Sequence, residues 1–139
     1  NDDELQQLAS CGATVVTCPR SNRWTGAGVP PIGRFYRSGV RVALGTDSLA
    51  SVEDLNLFSE MVAVRRLCPD IPARHILKSA TFEGAVALGF GRELGSISPG
   101  KRAELLAVRV PEKAATPEDV EEYLVEGIAP IDITWLDAG

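Results

Sequence analysis

Histidine is nearly missing: the chain holds one, His75, in 139 residues. A metal centre built on imidazole nitrogens needs three or four ligands, so this chain alone cannot assemble one. Cysteine is sparse as well, with Cys11, Cys18 and Cys68 far apart and odd in number. That pattern matches neither a disulfide framework nor a zinc ribbon, and buried free thiols in a reducing cytoplasm are the expectation. No apolar run approaches the roughly 20 residues needed to cross a bilayer. The acidic start, from Asn1 to Leu5, lacks the basic then apolar layout of a signal peptide. Positive charge is in deficit: 14 Lys and Arg stand against 19 Asp and Glu, a net charge of −5. A broad phosphate-binding surface is excluded, and neither nucleic acid nor a membrane is an expected partner. Arg20, Arg23, Arg34, Arg37 and Arg41 form one basic segment, read as a solvated rim. There is no internal repeat and no low-complexity tract.

What is present is an ordinary composition for one modest core, 45% hydrophobic and 24% charged. The stretch from Val42 to Ser51 organises the rest. Val42, Ala43 and Leu44 suit a strand buried on both faces, Gly45 and Thr46 let the chain leave it tightly, and Asp47 stands at its carboxyl end. In parallel α/β folds, chemistry is done at that end of the strands. A carboxylate there binds a metal, serves as acid or base, or caps the next turn; all three remain open on these residues alone. Ser51, with Asp54 three residues on, reads as the cap of a helix over Glu53 to Leu67.

Upstream, Asp3 to Ser10 reads as a helix stopped by Gly12, and Ala13 to Cys18 as a β-branched strand ended by Pro19. Arg20 to Pro31 is expected to be an irregular loop, and a loop of that length inside a domain is usually functional. Pro31 to Ser38 has the apolar spacing of a helix and leads into the strand Val40 to Leu44. Helix, strand, loop, helix, strand in one sheet implies parallel strands. Downstream, Asp70 and Pro72 open a helix, and Thr81 to Leu88 forms a short one. Glu104 to Val110 reads as a strand, Thr116-Pro-Glu-Asp119 as a strong helix start, and Ile131 to Leu136 as a last strand. Two parallel strands with two stray ones complete neither a barrel nor a doubly wound sheet, so a piece of a larger fold is expected.

Three segments together resemble the carboxyl-terminal third of the amidohydrolase superfamily, in its branch of chlorohydrolases and of aminohydrolases acting on guanine, cytosine and adenosine derivatives. They are Cys18-Pro-Arg-Ser-Asn22, Gly39 to Ser48, and Ala80 through Gly84–Gly89 and Gly95–Ile97 to Leu106. The resemblance implies an α/β fold. Its last two (β/α)8-barrel strands and their helices would occupy residues 1–95, and part of a small β-sandwich with one helix would occupy residues 96–139. It implies a deaminating hydrolase acting on a nucleobase- or nucleoside-like small molecule. Asp47 would be both metal ligand and catalytic proton carrier, and Ser21 and Asn22 would lie on the substrate side, in a loop over the pocket. The implied cofactor is a divalent metal, zinc or else iron, whose histidine ligands this chain lacks; His75, on an outer helix, is not expected to ligate. The implied partners are the missing amino-terminal segment of the same enzyme and the small-molecule substrate, with homo-oligomerisation open. Where many relatives have Ser-Asn after the eighth strand, this chain has Ser51-Val52. The competing reading is a stand-alone α/β binding or interaction module in which Asp47 merely caps a turn.

Overall fold

Two short β-branched or apolar runs, Thr14–Thr17 (β1) and Arg41–Leu44 (β2), pair in parallel, with Val15 beside Val42 and Thr17 beside Leu44. The computed structural model describes residues 1–136. Before β1 runs the helix Asp2–Ser10 (α1), closed at its start by a capping box between Asn1 and Glu4. Between the strands lie Pro19–Thr25 (α2) and Ile32–Ser38 (α3), so the parallel pairing is made through a helical crossover.

The sheet and helices α3, Leu57–Leu67 (α4), Ala73–Ala80 (α5) and Pro117–Glu126 (α7) enclose the core. Ile32, Leu44, Met61, Val64, Ile76 and Val125 meet there, and Val64, Ile76 and Val125 have no exposed surface. Burying such a side chain is worth about 1.5–3 kcal/mol, which is what holds these short helices in place. Helix α7 starts at the capping box of Thr116 and Asp119. It is pinned to α4 by Arg65, which grips both Glu122 oxygens at 2.9 and 2.7 Å and also donates to the carbonyls of Pro69 and Ile71.

Beyond Phe82–Ala87 (α6), Leu105–Val108 (β3) and Ile133–Leu136 (β4) form a separate antiparallel ribbon, with Leu106 opposite Trp135. A 3-10 turn, Pro130–Asp132, leads into β4. Trp135 is 67% exposed, and a two-stranded ribbon with one face bare is at best marginally stable alone. No helix is long and apolar enough to cross a membrane among the described residues.

The structure corrects three expectations. The first half of the supposed loop Arg20–Pro31 is helical, because Pro19 pre-sets the first turn of α2 and Gly26, at φ 72°, ends it. Residues 51–56 are not helical; Asn56, whose side chain accepts the Phe58 N–H at 2.9 Å, caps α4 in place of Ser51. Leu55 accordingly leaves the core and is 58% exposed. All three cysteines are free, but Cys11 caps the end of α1 on the surface and is exposed, and Cys18 and Cys68 are half-buried.

Candidate active site

Neighbours side by side in a parallel ladder share a face. Thr17 and Leu44, both buried, point into the helix layer, whereas Val16, 56% exposed, points to the open face. Two residues past Gly45 the backbone turns sharply: Asp47 takes φ 64°, the one non-glycine residue in the left-handed region among those described. Aspartate tolerates that conformation better than most side chains, and the turn presents its carboxylate to solvent at the carboxyl end of β2.

Two buried hydroxyls hold that carboxylate. Ser21 Oγ donates to Asp47 Oδ2 at 2.6 Å, and Ser51 Oγ lies 3.2 Å from the same oxygen and 2.9 Å from Ser21 Oγ. A hydroxyl has one proton, so these contacts share two. Each hydroxyl gives its proton to Asp47 Oδ2, Ser21 in the shorter bond, and the two serine oxygens stand in contact beside it. Ser21 is 3% and Ser51 6% exposed, so water does not compete for either. The Ser21 hydroxyl first, and Ser51 second, hold the Asp47 carboxyl below the usual carboxylate range. Among the described residues no side chain donates to the other oxygen, Oδ1. The result is an ionised carboxylate with one oxygen tethered by side chains and the other without a side-chain donor among the described residues.

Cys18, the residue between β1 and α2, lies under this turn. The N–H groups of Asp47 and Gly45 face its sulfur, while burial and the charges of Glu60 and Asp47 push its thiol pKa up, so it stays a neutral thiol. Of the residues singled out from the sequence, Asp47 and Ser21 come together. Asn22 follows Ser21 in α2 but borders a separate cavity of about 710 Å3 between α2 and α4, beside Arg20, Arg23 and Asp54. Its side chain makes no hydrogen bond among the described residues. His75 is exposed on α5, away from Asp47. Among the described residues there is no cluster of three or more His, Cys, Asp or Glu able to hold a metal ion.

Sequence reasoning missed Ser51 as a partner of Asp47 and took it for a helix cap. It also missed Glu60. That residue is fully buried on α4, takes the Arg20 backbone N–H at 3.1 Å, and has its pKa pushed up by burial, with Arg20 opposing. A signal was present: Leu57, Glu60, Met61 and Val64 are spaced to share one helix face, and a charge among three core residues marks a built contact.

The mixed α/β architecture is shared with solved hydrolases. An adenosine deaminase from Xanthomonas campestris with bound zinc superposes with a TM-score of 0.85 at 34% identity, over 96% of this chain and 32% of that one. The atrazine chlorohydrolase from Arthrobacter aurescens, complexed with zinc, gives a TM-score of 0.64 at 27% identity, over 75% and 25% of the two chains. The 5-methylthioadenosine/S-adenosylhomocysteine deaminase of Syntrophomonas wolfei is 36% identical over 124 residues, 84% of this chain and 29% of the relative. The amidohydrolase family model matches residues 2–130. The chain belongs to the amidohydrolase family, and it spans less than a third of the length of these relatives.

Proposed function

We propose that this chain is the carboxyl-terminal segment of a metal-dependent aminohydrolase that deaminates a nucleoside- or nucleobase-like compound. In this reading residues 1–95 supply the last two strands of a (β/α)8 barrel, and residues 96–139 supply part of a β-sandwich. Residues 137–139 lie outside the described ones. The observation that carries the proposal is Asp47: an exposed, ionised carboxylate at the carboxyl end of a parallel strand, fixed by two hydroxyls through one oxygen only. Family membership over residues 2–130 and the names of the relatives support the reaction class. The exposed Val16, Leu49 and Trp135 support further chain, or a second copy, covering the open faces. The three free thiols support a reducing, cytoplasmic setting.

The donor chemistry fits one ligand of a hard or borderline divalent ion. Zinc, present in two of the solved relatives, suits a carboxylate completed by nitrogen ligands from elsewhere in the protein; iron is the alternative that the family resemblance implies. Such an ion, when bound, supplies the Lewis acidity that brings the pKa of water towards neutrality. With such an ion held there, the Asp47 carboxylate would take the proton that the attacking water gives up and pass it to the departing nitrogen, which would leave as ammonia. Ser21 and Ser51 keep Oδ2 occupied and leave Oδ1 facing the open side. Asn22, its side-chain amide unspent, lines the neighbouring cavity between α2 and α4, and in this reading it meets a part of the substrate that extends there.

The test is ammonia release by the intact, zinc-loaded protein from adenosine-type nucleosides. Asp47→Asn should lower turnover by about 10²–10⁴-fold, the typical worth of acid–base assistance, with the fold retained. Most of the activity would survive if Asp47 only capped a turn, because Asn caps about as well as Asp.

A further inference from the structure

Helix α2 carries Ser21, yet its own N-cap residue, Cys18, makes no side-chain capping bond. The missing acceptor comes from forty positions along the chain. Glu60 Oε2, from α4, takes the backbone N–H of Arg20 at 3.1 Å, immediately before Ser21. The Arg20 guanidinium in turn reaches Asp54 Oδ1 at 2.7 Å, in the segment between Ser51 and α4, and stands 3.7 Å from Glu60 Oε1. One carboxylate and one arginine therefore tie together the two segments that deliver Ser21 and Ser51 to Asp47.

Glu60 is fully buried, its Oε1 makes no hydrogen bond, and the nearby strand end has another orphan, Thr17 Oγ1. An ionised carboxylate in such a place is costly, and a hydrophobic residue of similar size would suit the core formed by Met61 and Val64 better. Stability alone does not account for it. We infer that Glu60 is a positioning residue for the reaction: it fixes the first turn of α2 so that the Ser21 hydroxyl is held on Asp47 Oδ2. It touches neither substrate nor metal and acts through Ser21. The inference deepens the aminohydrolase reading and rests on it for the kinetic measurements.

The test uses the intact enzyme with Glu60→Gln, Glu60→Leu, Ser21→Ala and the Glu60→Leu/Ser21→Ala pair. Glutamine keeps an acceptor for the Arg20 N–H, so kcat should stay within about threefold of wild type, as expected when the hydrogen bond persists. Leucine removes the acceptor, and kcat should fall about ten- to a hundredfold with KM little changed, the factor expected when a backbone donor shielded from water is left unsatisfied. The paired variant should be no slower than the worse single variant, because both changes break the same linkage. Hydrogen exchange of the peptide covering residues 18–25 should speed up in Glu60→Leu and not in Glu60→Gln. If Glu60→Leu does not fold, Glu60→Asp, which draws the carboxylate back by one methylene, takes its place with the same expectations. Losses that multiply in the pair, or a lowered melting temperature with kcat unchanged, would overturn the inference. A wild-type protein without deaminase turnover refutes the functional reading instead; the exchange measurement then decides the role of Glu60 by itself, and unchanged exchange overturns it.

Discussion

Gly45 sits between β2 and Asp47, and adding one methyl group there is a local test of how finely the carboxylate is placed. Its φ lies outside the left-handed region, so alanine can adopt the backbone without conformational cost. A Cβ at that position would stand 3.1 Å from Cys18 Sγ and 3.2 Å from Val16 Cγ1. Comfortable carbon contacts lie at about 3.5–4.0 Å, so the Cys18 and Val16 side chains, or the strand ends that carry them, must give by roughly 0.5 Å. Overpacking of this kind costs about 1–3 kcal/mol of stability. A misplacement of about 1 Å at a reacting group costs on the order of a hundredfold in rate, so roughly 0.5 Å costs on the order of tenfold. Gly45→Ala in the intact enzyme should therefore lower kcat about tenfold and destabilise the fold, read by ammonia release and by urea unfolding. Cys18→Ala removes the nearer of the two contacts, so the double variant should recover part of both losses. Unchanged turnover in Gly45→Ala, or losses that simply add in the double variant, would refute the reasoning.

Other expectations are independent of that contact. Because Ser21, then Ser51, holds the Asp47 carboxyl below its ordinary range, folding favours the ionised form. That stabilisation is complete above about pH 4 and is lost as the pH falls through the depressed value, so Ser21→Ala should shrink the acid-side loss more than Ser51→Ala. Identical pH dependence of unfolding in wild type and both variants would contradict it. Ile76→Ala, at a core position with no exposed surface, should cost about 2–5 kcal/mol in urea unfolding, and a cost under about 1 would deny its place in the core. Glu122→Gln should cost less than about 1 kcal/mol, since that carboxylate is half exposed. Arg65→Met should cost more, because the carbonyls of Pro69 and Ile71 lose their donor as well. Expressed alone, the chain should self-associate through its bare apolar faces in light scattering, and a monomer at high concentration would count against the segment reading.

The parts of this fold with strong local chemistry were legible in the sequence. A continuous β-branched run marked Thr14–Thr17, an apolar run marked Arg41–Leu44, and their parallel pairing followed from the helix between them. The Thr116 cap was equally plain, since its capping box is closed within four residues. Helix α2 was hidden because Pro19 to Thr25 has no apolar periodicity; its proline start and glycine stop were the only clues. Ser51 misled for a physical reason. A serine three residues before an acid has the form of a cap, but its proton is spent on the cluster around Asp47, a partner set by the turn after β2. Asp47 itself was legible from its place after a buried strand. What oriented it was not, because the bond from Ser21 spans 26 positions and the one from Arg20 to Glu60 spans 40, and neither is implied by neighbouring residues.

The central claim is that Asp47 offers one free carboxylate oxygen to a divalent metal while its serine partners hold the other. A crystal structure of the intact, zinc-loaded protein measures this directly. The account predicts Asp47 Oδ1 about 2.0–2.2 Å from the zinc, with Ser21 Oγ still on Oδ2. A zinc ion bound elsewhere, with Asp47 outside coordination distance and turned to cap the chain after β2, would contradict it.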